Sequence, residues 1–194
     1  MKSPLLIALL MIAVGAPALA ETIHQPYKGF EIRSIASLSV KDIEELQSGA
    51  GWGLALPAEL NGYPGPAHVL ELQTDLDLTP SQASQMQAIF DAMQIEAVTQ
   101  GNALIQAEHD LDQGFKSGDL SPAKLRTLIA AAEAARANLR YIHLSRHLMS
   151  VDVLSAEQSS KYSELRGYIS DPCQPVPYGH DVDMWRKHNG CGDN

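Results

Sequence analysis

Leu78-Thr79-Pro80-Ser81-Gln82 is the first of three near-copies of one short signal, the others being Leu120-Ser121-Pro122-Ala123-Lys124 and Leu154-Ser155-Ala156-Glu157-Gln158. In each, a Thr or Ser hydroxyl stands where it can accept a hydrogen bond from the backbone N–H three residues on, as a helix N-cap does. Gln82 and Gln158 fall at the third helical position, from which their amides can reach back to the N–H of the cap and close a capping box. Pro80 and Pro122 fall at the first, where a missing N–H takes nothing from the helix. Three such starts predict three helices.

The first helix is expected from 80 to about 116, on the order of 55 Å long at 1.5 Å per residue. Its apolar seam is Met86, Phe90, Met93, Ala97, Leu104, Ala107 and Leu111, with Gln100 as a polar interruption and Gly101 beside it. Steps of four and three are the spacing of a coiled-coil seam. The second is expected from 122 to about 151, with Leu125, Leu128, Ala132, Ala135, Leu139, Ile142 and Met149 as its seam and Arg146 as the exception. So short a connection, residues 117–121, forces the two helices antiparallel. A hairpin this rich in alanine leaves seam uncovered. Short helices near 67–77 and 156–169 are therefore expected against its open end, and a second copy of the chain, giving a homodimer, is a candidate for covering the rest. The predicted fold class is all-α: a long antiparallel helical hairpin over 66–170 with short flanking helices, an irregular N-terminal arm and an irregular C-terminal tail.

Upstream, residues 21–37 show no period and read as an extended arm. Ser39 then precedes a short amphipathic helix, Val40-Lys41-Asp42-Ile43-Glu44-Glu45-Leu46, with Gly49 as its stop. The glycines and prolines crowded into 49–66 predict a loop, so that 21–65 forms an arm with one short helix. The first twenty residues hold Lys2, an apolar run over 5–14 and Ala16-Pro17-Ala18-Leu19-Ala20 before Glu21. That pattern reads as a secretory signal peptide cleaved near Ala20, giving a periplasmic protein; an uncleaved anchor is the rival reading. The run is shorter than the ~20 residues a membrane helix needs, and no later run approaches that length, so no membrane insertion is expected.

The whole chain of 194 residues carries a formal net charge of -9 and 6% aromatic residues. Clustered Lys and Arg are what bind phosphate backbones, so nucleic acid is not an expected partner. Cys173 and Cys191 both lie in the tail over 171–194. In an oxidising compartment they read as a disulfide closing a loop worth roughly 3 kcal/mol in the chain-entropy model, with metal ligation beside His180 and His188, or free thiols, as the alternatives.

The motifs that open the first and last of these helices, with Leu78, Thr79 and Gln82 in one and Leu154, Ser155 and Gln158 in the other, bracket a helical hairpin behind a signal peptide. In this the chain resembles the Spy/CpxP family of periplasmic proteins and its paired LTxxQ motifs, over about residues 66–170. The resemblance implies a curved, often dimeric, all-helical cradle. It also implies the roles met among the family's members: ATP-independent refolding chaperones, inhibitors of envelope-stress signalling, and the related zinc-binding ZraP and nickel- or cobalt-sensing CnrX proteins. Unfolded or envelope proteins, or a membrane sensor, are then the expected partners.

His143 and His147 stand four residues apart on one helix face. Such a pair chelates a divalent ion such as Zn, Cu, Co or Ni when a third ligand arrives. Counting outward from the turn brings Glu96 level with His143 as that carboxylate, and His68 near the same end. The resemblance to metal sensors points the same way. In the competing reading these histidines lie on a solvated flank and Glu96 pairs with Arg146, which needs a partner at a seam position. A cluster of His180, Asp181, Asp183 and His188 in the tail is a weaker candidate. Met86 and Met93 read as core before they read as soft-metal ligands. His109 between Glu108 and Asp110 is a charged helix stretch, and no nucleophile-base order or phosphate-binding glycine loop emerges. The chain therefore reads as non-catalytic, requiring no cofactor, with a stress protein that binds chains as the first functional expectation and a metal sensor or buffer as the second.

Overall fold

The computed structural model describes residues 25–168 and 181–188. The proposed signal peptide, both cysteines, His180 and the side chain of His188 lie outside the described residues. Residues 25–32 belong to a unit of their own, a set of turns ending in a 3-10 turn, Phe30–Ile32, with the ring of Tyr27 6.1 Å from that of Phe30.

From residue 33 onward the described chain is all-α. Its helices are α1 Val40–Ser48, α2 Leu56–Glu59, α3 Pro66–Glu71, α4 Pro80–Lys116, α5 Pro122–Val153, α6 Ala156–Leu165 and α7 Val182–His188. The predicted starts are all present. Ser39, Thr79, Ser121 and Ser155 each accept from the N–H three residues on, and Asp42, Gln82 and Gln158 complete capping boxes at α1, α4 and α6. Gly49, at φ 70°, takes the left-handed conformation that ends α1.

Helices α4 and α5 form the antiparallel hairpin, joined through residues 117–121. Its middle buries Met93, Ala97, Leu104, Ala135, Leu139 and Ile142 together with Leu46 of α1 and with Ile35 and Leu38. Burying a leucine completely stabilises by about 1.5–3 kcal/mol, so α1 is held chiefly by Leu46, which is 1% exposed. The open end is closed by Val69 of α3, Leu76, Met86, Leu154 and Tyr162 of α6, as the uncovered seam demands.

The two glutamines of the capping boxes also meet each other. Gln82 Nε2 donates to Gln158 Oε1 at 2.8 Å and to the Val153 carbonyl at 2.9 Å. Gln158 Nε2 donates to the Leu76 carbonyl at 3.1 Å and to Gln82 Oε1 at 3.3 Å. Each amide thus caps its own helix with its oxygen and ties a neighbouring segment with its nitrogen.

Four expectations change. Residues 33–38 are no extended arm, because Ile35 and Leu38 are 4% and 2% exposed and face the hairpin core. The 49–66 segment is not all loop: Pro57, in its first turn, permits the short α2. The tail holds α7, which starts beyond the prolines. Along α5 the buried positions run Ala132, Ala135, Leu139 and Ile142 and then step round to His143, His147 and Ser150, leaving Met149 44% exposed. A straight helix drifts relative to a seven-residue repeat, and at this end α2 and α3 cover the face that the drift brings round.

Candidate functional site

Beneath the 48–56 segment lies a cavity of about 400 Å³, walled by α2, α3 and the facing flanks of α4 and α5. That volume lies within the range of small-molecule sites, ~300–1,000 Å³. Trp52, Phe90 and Met93 give it an apolar wall, and Glu59, His68, Gln94, His143, His147 and Arg166 are among its polar residues.

Trp52 is a bulky residue held at φ 45°, a conformation that persists only when its surroundings over-determine it. Its Nε1 donates to Asp42 Oδ1 at 2.9 Å, and the Arg136 guanidinium lies 5.0 Å from its ring. Hydrogen bonds from Ser39 and from this indole hold the Asp42 carboxyl below the usual carboxylate range. Arg136 is fixed in turn by Glu108 at 2.8 Å. The tryptophan wall is therefore anchored to both α1 and the hairpin.

Glu59, 7% exposed, closes α2. Its Oε1 accepts from the hydroxyls of Tyr162 and, at 3.0 Å, Tyr168, and Arg166 Nε lies 3.6 Å away. Its Oε2 has no hydrogen-bond partner. Burial, and after it the hydrogen bond to Glu59, raise the pKa of the Tyr162 phenol, which stays protonated and donates. His147 Nδ1 lies 2.7 Å from the Tyr63 carbonyl. A carbonyl can only accept, so that nitrogen carries the proton, and in the neutral ring Nε2 is left as an acceptor.

His143 is 3% exposed and its Nε2 has no hydrogen-bond partner. Burial first, and the neighbouring His147 second, hold its pKa below the ordinary 6.5. A buried base that resists charging stabilises the fold fully above its unfolded pKa of about 6.5 and loses that contribution as pH falls below it. The melting temperature is accordingly expected to fall between pH 7.5 and pH 5, and His143→Leu to flatten part of that slope. Melting curves of both proteins across that range check this, and parallel slopes would refute it.

The predicted histidine pair is thus brought to one cavity and is buried, not solvated, and His68 lines the same cavity while Glu96 does not; both proposed partners are bonded to other side chains. Glu96 Oε1 pairs with Arg146 Nη2 at 2.6 Å, and His68 Nδ1 with Glu71 at 3.0 Å. The pairing of Glu96 with Arg146 is the one named in the competing reading of the sequence, and it gives the Arg146 side chain, 13% exposed, its partner. Among the described residues no three His, Cys, Asp or Glu side chains gather closely enough to hold a metal ion. Of the tail cluster, Asp181 Oδ1 accepts from the Met184 N–H at 2.9 Å, acting at the start of α7. Met86 and Met93 lie in the core, and Glu108 beside His109 serves Arg136 and Ser37.

Glu59 was not marked by sequence reasoning. The signal available was a lone acid in the apolar run Leu54-Ala55-Leu56-Pro57-Ala58-Glu59-Leu60, where a proline-started turn buries whatever falls on its inner side.

A second feature lies on the outer face of α5. Ala130, Ala134, Ala137, Tyr141, Leu144, Leu148 and Val151 repeat at steps of four and three; all are exposed except Leu144 and Val151, which are half-buried. Tyr141 is 72% and Leu148 58% exposed. No helix of the described residues is long and apolar enough to cross a membrane. Comparison with protein-family models, with curated proteins and with solved structures finds no match to this chain.

Proposed function

We propose that the protein is a non-catalytic periplasmic binding module of the Spy/CpxP kind, which captures apolar segments of other protein chains along the outer face of α5. The observation that supports this is the row of exposed apolar residues Ala130, Ala134, Ala137, Tyr141 and Leu148. These exposed side chains contribute little to the fold of the single chain, and their spacing suits an amphipathic helical segment laid alongside. Scattered surface apolar residues are ordinary; these five share one face of α5. The paired capping motifs and the hairpin they bracket add the resemblance to envelope chaperones. The metal-sensor reading has less support, because Glu96 and His68 are engaged with Arg146 and Glu71.

The reading is tested by the light scattering of a chemically unfolded client diluted into buffer with and without the purified protein. Suppression at stoichiometric amounts is expected. The double variant Tyr141→Ser/Leu148→Ser, whose exposed positions leave stability within about 0.5 kcal/mol of the parent, should lose most of it. Absence of suppression, or equal suppression by the variant, would overturn the proposal. Sedimentation at the working concentration distinguishes client capture from a second copy of the chain occupying the stripe.

A further inference from the structure

Helix α5 carries its charge against the trend of the chain. The protein has a formal net charge of -9, yet α5 holds Lys124, Arg126, Arg136, Arg140 and Arg146 against Glu133 and Asp152. Three of these cations are occupied. Arg136 is answered by Glu108 at 2.8 Å and Arg146 by Glu96 at 2.6 Å, both from α4, and Lys124 Nζ lies 3.5 Å from the Asp119 carbonyl at the turn. Arg126 and Arg140 are exposed, and among the described residues neither guanidinium has a hydrogen bond, an ion pair or a ring contact.

Both arginines border the outer row. With Ala134, Tyr141 and Leu148 as the a positions of a heptad and Ala130 and Ala137 as d, residues 126, 133 and 140 all fall at g, an edge where ion pairs between helices choose the partner. Glu133, between the two arginines, is answered within α5 by Arg136 Nε at 3.7 Å. The other edge, at the e positions, holds Ala131, Asn138 and Ser145, with no charge before Asp152 at the end of the helix. The row therefore has one cationic border. Its two unanswered charges stand fourteen residues apart, about 21 Å along the helix at 1.5 Å per residue.

We propose that the segments captured by α5 are amphipathic helices edged with acid. The apolar stripe of such a helix lies on Ala130, Ala134, Ala137, Tyr141 and Leu148, and carboxylates two heptads apart beside that stripe meet Arg126 and Arg140. The inference rests on the client-capture reading and narrows it from apolar segments at large to one class. A carboxylate suits a guanidinium in charge and in its two-pronged geometry. A helix with the same stripe and a basic edge brings like charges together, which weakens association.

The test uses three fluorescently labelled model peptides of about 21 residues, three heptads. They share a leucine stripe at helical spacing and differ only at two edge positions fourteen apart, which hold Glu, Gln or Lys. Binding to the purified protein is followed by anisotropy at low salt. The Glu peptide should bind about fivefold tighter than the Gln peptide, the order of two exposed ion pairs, and the Lys peptide weakest. The net charge of the protein works the other way and favours the Lys peptide, so a preference for Glu reports the local edge. In about 0.5 M salt the spread should shrink, because exposed charges are screened. Arg126→Gln/Arg140→Gln, at exposed positions with no partner to lose, should keep its fold and bind the Glu and Gln peptides within about twofold of each other. Tyr141→Ser/Leu148→Ser should weaken all three. Equal binding of the three by the unaltered protein, tighter binding of the Lys peptide, or a preference for Glu that survives in the arginine double variant would overturn the inference and leave client capture standing. Absence of binding by all three would overturn it as well, and client capture would then be decided by the scattering assay alone.

Discussion

Gly101→Ala is expected to destabilise the protein by about 3 kcal/mol or more, a fall of roughly 6–12 °C in melting temperature for a chain of this size. In an exposed helix the same change would stabilise by up to ~1 kcal/mol, because alanine is the better helix former. Here packing decides the sign. A side-chain carbon on Gly101 would stand 2.2 Å from the Leu46 carbonyl oxygen and 2.9 Å from its carbonyl carbon. These are backbone atoms at the end of α1, and they cannot turn aside as a side chain can. Helix α1 must move bodily, and with it Leu46, which anchors it in the hairpin core. Gly114 supplies the control. An added carbon there meets only the side-chain ends of Leu128 at 3.0 Å and Leu120 at 3.2 Å, so Gly114→Ala should change stability little. Thermal and urea unfolding of the two variants check the contrast, and a mild Gly101→Ala would show that the approach of α1 to α4 does not constrain the fold.

Tyr162→Ala is expected to be of similar or greater consequence, about 3–5 kcal/mol by the measure of buried aromatic truncations. The ring is wholly buried between α3 and the open end of the hairpin, with Val69, Leu76, Met86 and Leu154 around it. Its hydroxyl is the donor that Glu59 receives in addition to Tyr168. Tyr162→Phe separates the two roles: it keeps the packing and leaves a buried carboxylate short of a donor, a loss of about 1–3 kcal/mol. Denaturant unfolding of both variants measures the split, and a Tyr162→Phe protein as stable as the parent would show that Glu59 does not depend on this hydroxyl.

The legible parts of the molecule were those whose physics is local. Thr79, Ser121 and Ser155 start helices through bonds spanning three residues, and those bonds are written within the motif itself. The bounds of α4 and the antiparallel pairing follow from such starts and a short connection. The sequence left Glu96 between His143 and Arg146, and it pairs with Arg146, a choice made by how the two helices pack and by the burial of His143. Glu59 was least legible, since its importance comes from Tyr162 and Tyr168 more than a hundred positions away in the chain. Trp52 likewise shows its role only through Asp42 and Arg136, and the outer row on α5 emerges only once the inner seam is known to lie opposite.

The amide clasp between Gln82 and Gln158 reverses the usual expectation for a pair of rods joined by a short link. Ordinarily the covalent joint is the secure end and the other end frays. In this molecule the ends remote from the joint are knotted together by reciprocal side-chain bonds that also engage the carbonyls of Val153 and Leu76. The joint, by contrast, carries Gly118 at φ 68° and an outward-facing Phe115. Breathing motions should therefore start at the bend, and a nick or an insertion between 117 and 121 should be tolerated better than any disturbance of either glutamine.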